Sequence, residues 1–130
     1  MQPSENSRDP LALFVRGKAV VTITVSVLLL AIPGWFFGWF GLALDPAAEM
    51  LARLLGAVFF AIGIKLAKVR ASKELGRADC RTFALGDGIA AVIVAAVMVG
   101  GLMNPLGWAL AAIYAAGSLG FALCARHAVV

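Results

Sequence analysis

Four apolar stretches of about twenty residues, separated by polar links, constrain the fold of this chain more than any other feature. They occupy residues 19–40, 46–67, 82–103 and 105–125. A helix of about 20 residues crosses the ~30 Å hydrocarbon core of a bilayer, and a segment in lipid must satisfy its own backbone hydrogen bonds. We therefore predict an all-α fold, an integral membrane four-helix bundle built from two transmembrane hairpins.

The composition supports this prediction. The chain has 130 residues, of which 62% are hydrophobic and 14% charged. Average soluble domains carry about 45–50% apolar and about 25% charged residues. A soluble domain this small buries only part of its chain and could not hide so much apolar surface from water.

The links divide the chain into a transmembrane domain and two tails. Residues 1–18 are predicted to form a polar, interfacial N-terminal tail, in which Asp9-Pro10 suits the start of a short helix at Leu11. Residues 127–130 are predicted to form a short C-terminal tail. Between them, residues 19–126 form the four-span domain. Residues 68–81 are its one long connection, a basic cytoplasmic loop. The other links are short, which makes the spans that they join antiparallel neighbours.

Helix-starting and helix-breaking residues mark the same boundaries. Asp45-Pro46 and Asn104-Pro105 stand at the two short turns, where an Asx residue followed by proline is typical of a helix start. A third proline, in Pro33-Gly34, interrupts the first span and predicts a kink in its outer third.

Positive charges predict the orientation. If the chain crosses the membrane four times, only Arg53 among the eleven Lys and Arg residues falls on the second side. Positive residues accumulate in cytoplasmic segments, so both termini are expected in the cytoplasm of a bacterial cell, with the protein as a multi-pass component of the inner (plasma) membrane. Six of the eleven lie within 65–81, and we expect this loop to contact anionic lipid headgroups of the bilayer.

Tryptophans give an independent indication of topology. Trp35 and Trp39 end the first span, and Trp108 opens the fourth. In a four-span arrangement all three lie at the outer interface, where indole rings favour the headgroup boundary.

The stretch DPAAEMLARLLG places charges where the chain is predicted to enter lipid. Asp45 suits the N-cap of the second span, and Glu49 lies four residues before Arg53, a favourable spacing for a helical ion pair. One interpretation is a capped helix start whose charges pair with each other. The other is an outward-facing polar pocket in which Arg53 meets an anion or a headgroup.

A second intramembrane charge, Asp87, follows the cytoplasmic end of the third span. Lys65 on the second span is expected at a similar depth, so an Asp87–Lys65 interhelical pair is one interpretation. A functional acid that binds a cation or transfers protons is the other. Gly86 and Gly88 beside it favour close helix approach.

Hydroxyl groups also lie in the predicted spans. Tyr114 and Ser118 share one face of the fourth span, a spacing more typical of interhelical hydrogen bonds than of a substrate path. The candidate polar intramembrane site therefore consists of five residues: Glu49, Arg53, Lys65, Asp87 and Tyr114.

No pattern indicates catalysis or a bound group. Cys80 and Cys124 form no CxxC pair, and His127 is the single histidine. We see no nucleophile–base pair, carboxylate dyad or glycine-rich phosphate loop. We predict no catalytic residue, cofactor or metal. Without aromatic residues interleaved in the basic loop, we also expect no nucleic-acid partner.

The segment ARLLGAVFFAIGIKLAKVR at 52–70 resembles small bacterial four-helix membrane proteins of the DoxX-like type. The resemblance rests on Arg53, Gly56, Gly63 and the turn from Asn104-Pro105 to Trp108. It implies a link with quinone-reducing or terminal-oxidase complexes. We expect a non-catalytic accessory or structural protein that packs with itself, as a homo-oligomer, or with a larger membrane complex. The alternatives are a small transporter or channel using Asp87 or Arg53, and a membrane subunit of a quinone-linked redox complex.

Overall fold

The chain folds into long helices in a computed structural model that describes residues 10–69 and 74–128. Four of the helices described there are long and apolar enough to cross a membrane. The prediction of an all-α protein with four long apolar helices is thus confirmed. Within these two ranges five α-helices follow one another: α1 (Pro10–Ala31), α2 (Pro33–Gly38), α3 (Pro46–Ala67), α4 (Arg77–Val99) and α5 (Gly107–His127).

Helix α3 begins and ends where the sequence predicts, because its start is chemically marked. The Asp45 side chain accepts a hydrogen bond from the Ala48 backbone N–H at 2.7 Å, and Pro46 occupies the first helical turn. Other helices depart from the predicted spans. Helix α1 begins at Pro10 rather than at residue 19, and α4 begins at Arg77 rather than at residue 82. Hydropathy locates the apolar part of a helix, whereas the helices themselves extend into polar sequence.

The first predicted span is broken rather than merely kinked. Ile32, with φ −141° and ψ 56°, separates α1 from α2, and Pro33 starts the short second helix. Proline lacks a backbone N–H and fits the first turn of a helix better than its interior. The break leaves carbonyl groups at the end of α1 without their usual helical donors.

The first hairpin is formed by α1 and α3, which pack closely along their length. Two glycines of α3 make this approach possible. A methyl group on Gly56 would lie 2.9 Å from the Leu29 Cβ, and one on Gly63 would lie 2.6 Å from the Ile23 Cγ1. Ser26, fully buried at this contact, donates to the Ile23 carbonyl within its own helix at 2.7 Å.

The second hairpin is formed by α4 and α5. The Ser118 hydroxyl donates to the Ala84 carbonyl across the two helices at 2.8 Å, which confirms the interhelical bond expected for this face of α5. A methyl group on Gly88 would lie 3.2 Å from the same hydroxyl oxygen. Small residues thus bring the backbones of this pair together as well.

The two hairpins meet at both ends. At one end Phe14 of α1 packs edge-on against Phe121 of α5, with ring centroids 5.3 Å apart, and lies over Gly120. At the other end Asn104 donates from its side chain to the Trp39 carbonyl at 2.7 Å and from its backbone to the Phe40 carbonyl at 2.9 Å. Asn104 Oδ1 also accepts the Leu106 N–H at 3.0 Å, just before α5. Asn104 therefore shapes the turn of the second hairpin and joins it to the first hairpin.

The antiparallel arrangement segregates aromatic and basic residues. Because Asn104 contacts residues 39 and 40, the turns carrying Trp35, Trp39 and Trp108 lie at one end, and all three rings are about half exposed. The described Lys and Arg residues other than Arg53 belong to the opposite halves of the long helices or to their links. Arg70 and Lys73 of the predicted basic loop, and Arg8 of the tail, lie outside the described residues.

Candidate functional site

A cavity of about 340 Å³ lies between the two hairpins. Each of the four long helices contributes to its walls, and most of the lining is apolar: Val25, Phe59, Ile62, Phe83, Leu110 and Ile113. Helices α1 and α3 pack closely together, as do α4 and α5, whereas among the described long helices the backbones of the two hairpins approach each other mainly between α1 and α5. This arrangement leaves space for the cavity. Its volume falls within the range of small-molecule sites in proteins, about 300–1,000 Å³.

An ion pair between the hairpins lies in this cavity. Lys18 Nζ of α1 is 2.6 Å from Asp87 Oδ2 of α4, and the two side chains are only 12% and 14% exposed. The buried Oδ2 atom accepts no hydrogen bond of regular geometry from the described residues. Gly117 of α5 provides the space, because a methyl group there would overlap the Asp87 carboxylate and lie 2.7 Å from Lys18 Nζ.

Tyr114 completes the polar part of the cavity. Lys18 Nζ lies 5.4 Å from the centroid of its ring, a cation–π distance. Thr22 and Thr82 also line the cavity, and the Thr82 hydroxyl donates to the Ala78 carbonyl at 2.9 Å. The Tyr114 hydroxyl forms no hydrogen bond within the described part of the chain. The polar groups available to a ligand are therefore the Lys18–Asp87 pair, this hydroxyl and the hydroxyl of Thr22.

The predicted Asp87–Lys65 pair was wrong. Lys65 instead pairs with Asp79 in the first turn of α4, at 2.9 Å, where both side chains are about half exposed. Lys65 Nζ also lies 5.8 Å from the Phe83 ring centroid. Asp87 is two turns further along α4 than Asp79, beyond this contact, and it meets α1 instead.

Glu49 and Arg53 lie apart from the cavity, at the other end of the first hairpin. Their predicted ion pair is present but long, with 3.9 Å between Arg53 Nη2 and Glu49 Oε2. The shorter contact is from Arg53 Nη1 to the Leu30 carbonyl, at 2.6 Å. Arg53 therefore donates to a carbonyl at the end of α1. This carbonyl lacks its usual helical N–H donor because the helix breaks at Ile32.

Apolar residues separate the Lys18–Asp87 pair from the Glu49–Arg53 pair. A cluster made of Leu29, Phe36, Phe40 and Ala52 lies on the Arg53 side of the cavity, with Phe59 and Leu110 packed against it. Of the five predicted site residues, Asp87 and Tyr114 line the cavity. Glu49 and Arg53 pair with each other away from it, where Arg53 also contacts α1, and Lys65 pairs with Asp79 at the loop end of α4.

Sequence reasoning missed Lys18 and therefore the cavity. Lys18 was assigned to the polar tail, whereas it lies about 12 Å inside a helix that begins at Pro10. Asp9-Pro10 is a typical helix start and predicts a short helix in the tail, but it does not predict that this helix continues into the first span. A helix beginning there carries Lys18 to the depth of Asp87, which is about 15 Å from the start of α4.

The arrangement is suited to binding. The described residues contain no group of three or more His, Cys, Asp and Glu placed to hold a metal ion. Cys80 and Cys124 are buried in the apolar core. An apolar cavity with one cation, one carboxylate and one phenol hydroxyl can hold a largely apolar molecule and orient a polar group on it.

Comparison with known proteins gives no match to a family model, a curated protein or a solved structure. The resemblance to DoxX-like proteins therefore stays a hypothesis, and the functional argument rests on the geometry of the cavity.

Proposed function

We propose that this chain is a multi-pass protein of the bacterial inner membrane that acts without catalysis, by holding a lipophilic molecule between its two hairpins. It would serve as an accessory protein, associated with itself or with a larger membrane complex. The observation that carries this proposal is the Lys18–Asp87 pair inside an otherwise apolar cavity.

Membrane insertion is supported by the length of the helices and by what they expose. The four long helices have 21 to 23 residues, which gives lengths of about 32–35 Å. Their outward faces carry exposed large apolar residues such as Leu54, Val92 and Leu119. Such surfaces are unfavourable in water but match the bilayer, and they are also available for contact with other membrane helices.

The orientation follows from charge. The basic residues and the tryptophans gather at opposite ends of the bundle, and the positive-inside tendency assigns the basic end to the cytoplasm. Lys18 and Asp87 then lie about 12–15 Å from the cytoplasmic ends of their helices, and this distance gives the depth of the cavity in the membrane.

The chemistry of the cavity favours a lipophile with a hydrogen-bond acceptor. The walls supply apolar contact, while Lys18, Tyr114 and Thr22 carry donors that line the cavity. A quinone head has carbonyl oxygens that suit such donors, and this favours a quinone-linked role as the second candidate. A sterol-like or acyl-chain ligand with a carbonyl or ester group fits the same description.

A transport role has less support. An intramembrane ion pair often marks an ion or proton pathway. Here the cluster of Leu29, Phe36, Phe40 and Ala52 lies between the cavity and Arg53. The described residues therefore offer no polar path from Asp87 to the opposite end of the bundle.

The test is to extract the protein in mild detergent, purify it, and quantify the lipophiles that remain bound. Organic extraction followed by mass spectrometry is expected to find one compound near an equimolar ratio to protein. A quinone would be identified by its redox-dependent ultraviolet absorbance. This result would distinguish the quinone-linked role from an accessory role with another lipophile.

Two glycine variants provide the matched comparison. Gly86 lines the cavity and Gly17 does not, and a Cβ atom at either position would meet no neighbouring heavy atom within 4 Å. Gly86→Leu should fill the cavity and lose the bound compound, whereas Gly17→Leu should keep it. Retention of the compound by both variants, or purification with bulk lipid alone, would contradict the proposal.

A further inference from the structure

A second cavity lies on another face of the α4–α5 hairpin and is lined by arginines. Its volume is about 520 Å³. Helix α4 contributes Arg77, Arg81 and Ala84, which share one face of a helix, and α5 contributes Ala122, Ala125 and Arg126. None of these residues lines the cavity between the hairpins. The three arginines come from the start of α4 and the end of α5, so they belong to the basic end of the bundle.

The arginines are not neutralised within the described chain. Neither Arg81 nor Arg126 has an ion-pair partner there. No acidic side chain lines the cavity, and Asp79, the acid in the first turn of α4, is paired with Lys65 on α3. Three positive charges around one cavity repel one another, and an anion within it would relieve that repulsion.

Arg77 provides an independent sign of a missing acceptor. Its Nη2 donates to the Ala128 carbonyl at 3.1 Å, which fixes the guanidinium beside the end of α5. Its Nε is buried and has no hydrogen-bond partner among the described residues. A buried donor without an acceptor is costly, and buried polar groups are paired in nearly all cases.

We propose that Arg77, Arg81 and Arg126 form a binding site for the phosphate headgroup of an anionic phospholipid. The planar guanidinium group matches the oxygens of a phosphate, to which it donates two parallel hydrogen bonds. Alanines 84, 122 and 125 leave the space that a headgroup needs. The inference rests on the proposed membrane placement, which puts this end of the bundle at the cytoplasmic headgroup layer, where basic pockets between helices bind such lipids.

Apolar residues next to the arginines indicate a lipid rather than free phosphate. Leu85 follows Arg81 by one turn of α4, and Leu119 lies one turn before Ala122 on α5, both deeper along the helices from the basic end. Both leucines are strongly exposed. They offer a surface on which the acyl chains attached to a bound headgroup can lie.

The test measures lipid binding to the full chain in detergent by native mass spectrometry. The probes are dioleoylphosphatidylglycerol, dioleoylphosphatidylcholine and inorganic phosphate, added separately. We expect phosphatidylglycerol to bind more tightly than phosphatidylcholine and inorganic phosphate to bind little. Arg81→Gln and Arg126→Gln should each weaken phosphatidylglycerol binding about tenfold, as the loss of a charged hydrogen bond predicts.

Lys68→Gln is the matched control, because it removes one positive charge from the same end without touching the cavity. It should change binding less than twofold. Arg126→Lys keeps the positive charge but loses the planar guanidinium group and its two parallel hydrogen bonds. It should weaken phosphatidylglycerol binding by an intermediate amount, which distinguishes the loss of these hydrogen bonds from misfolding. Equal loss in all variants including Lys68→Gln, equal binding of the two lipids, or phosphate binding as tight as lipid binding would each overturn the proposal. Gly86→Leu, which tests the cavity between the hairpins, should leave this binding unchanged, so the two proposals fail separately.

Discussion

Lys18 Nζ and Asp87 Oδ2 lie 2.6 Å apart, where α1 of the first hairpin faces α4 of the second. A second ion pair, Lys65–Asp79, also joins the hairpins but is about half exposed. The two pairs have the same chemistry and share helix α4, and they differ in burial. This difference makes one pair the natural control for the other.

Asp87→Asn is expected to destabilise the protein by about 3 kcal/mol, because it leaves the Lys18 charge buried without a partner. Asp79→Asn should cost about 1 kcal/mol or less, as exposed pairs do. Equilibrium unfolding in mixed detergent micelles measures both. Combining Asp87→Asn with Lys18→Met should recover much of the loss, because no unpaired charge remains. Equal effects of the two single Asp variants, or additive effects of Asp87→Asn and Lys18→Met, would contradict a coupled buried pair.

Arg53 is expected to stabilise the break in the first span through the Leu30 carbonyl. Arg53→Leu should destabilise the protein by about 1–2 kcal/mol, since it removes the donor to a carbonyl that the helix itself leaves unpaired. The same substitution should cost less in a Pro33→Ala background, where a restored backbone N–H lets α1 continue. A double-mutant cycle in unfolding experiments measures this coupling. If Arg53→Leu costs the same in both backgrounds, Arg53 does not act through the break.

Two glycine substitutions in the first hairpin are expected to change the stability of the protein in opposite directions. Gly56→Ala places a methyl group 2.9 Å from the Leu29 Cβ, and should destabilise the protein by about 1–3 kcal/mol as overpacking does. Gly17→Ala meets nothing within 4 Å, and should stabilise α1 by up to about 1 kcal/mol through helix propensity. Melting temperatures of both variants in one detergent provide the comparison. A stabilising Gly56→Ala would show that the helices are further apart than described.

The sequence predicted the helical class and the boundaries of α3, because apolar length and the Asp45-Pro46 cap are local signals. It indicated a helix start at Asp9-Pro10, but not that this helix continues into the first span, since Arg16 and Lys18 were expected to lie outside the lipid. A helix can carry charged side chains inward when a partner on another helix pairs with them. The length of an apolar run alone does not reveal this.

The partners of the charged residues could not be read from the chain. Asp87 was assigned to Lys65 because both flank the same loop, whereas the face of α4 that meets α1 is decided by how the two hairpins pack. Arg53 was expected to pair with Glu49, four residues away. Its shorter contact depends on the non-helical backbone at Ile32, which a pattern of apolar residues does not encode.

The central claim is that four helices cross the membrane, with both the C terminus and the loop between the hairpins in the cytoplasm. Paired fluorescent-protein and alkaline-phosphatase reporters test it most directly, placed after Ala128, within residues 71–73 and at Gly101. We expect fluorescence without phosphatase activity at the first two positions, and phosphatase activity at Gly101. Reporters after Ala128 and within 71–73 that report opposite sides of the membrane would contradict it.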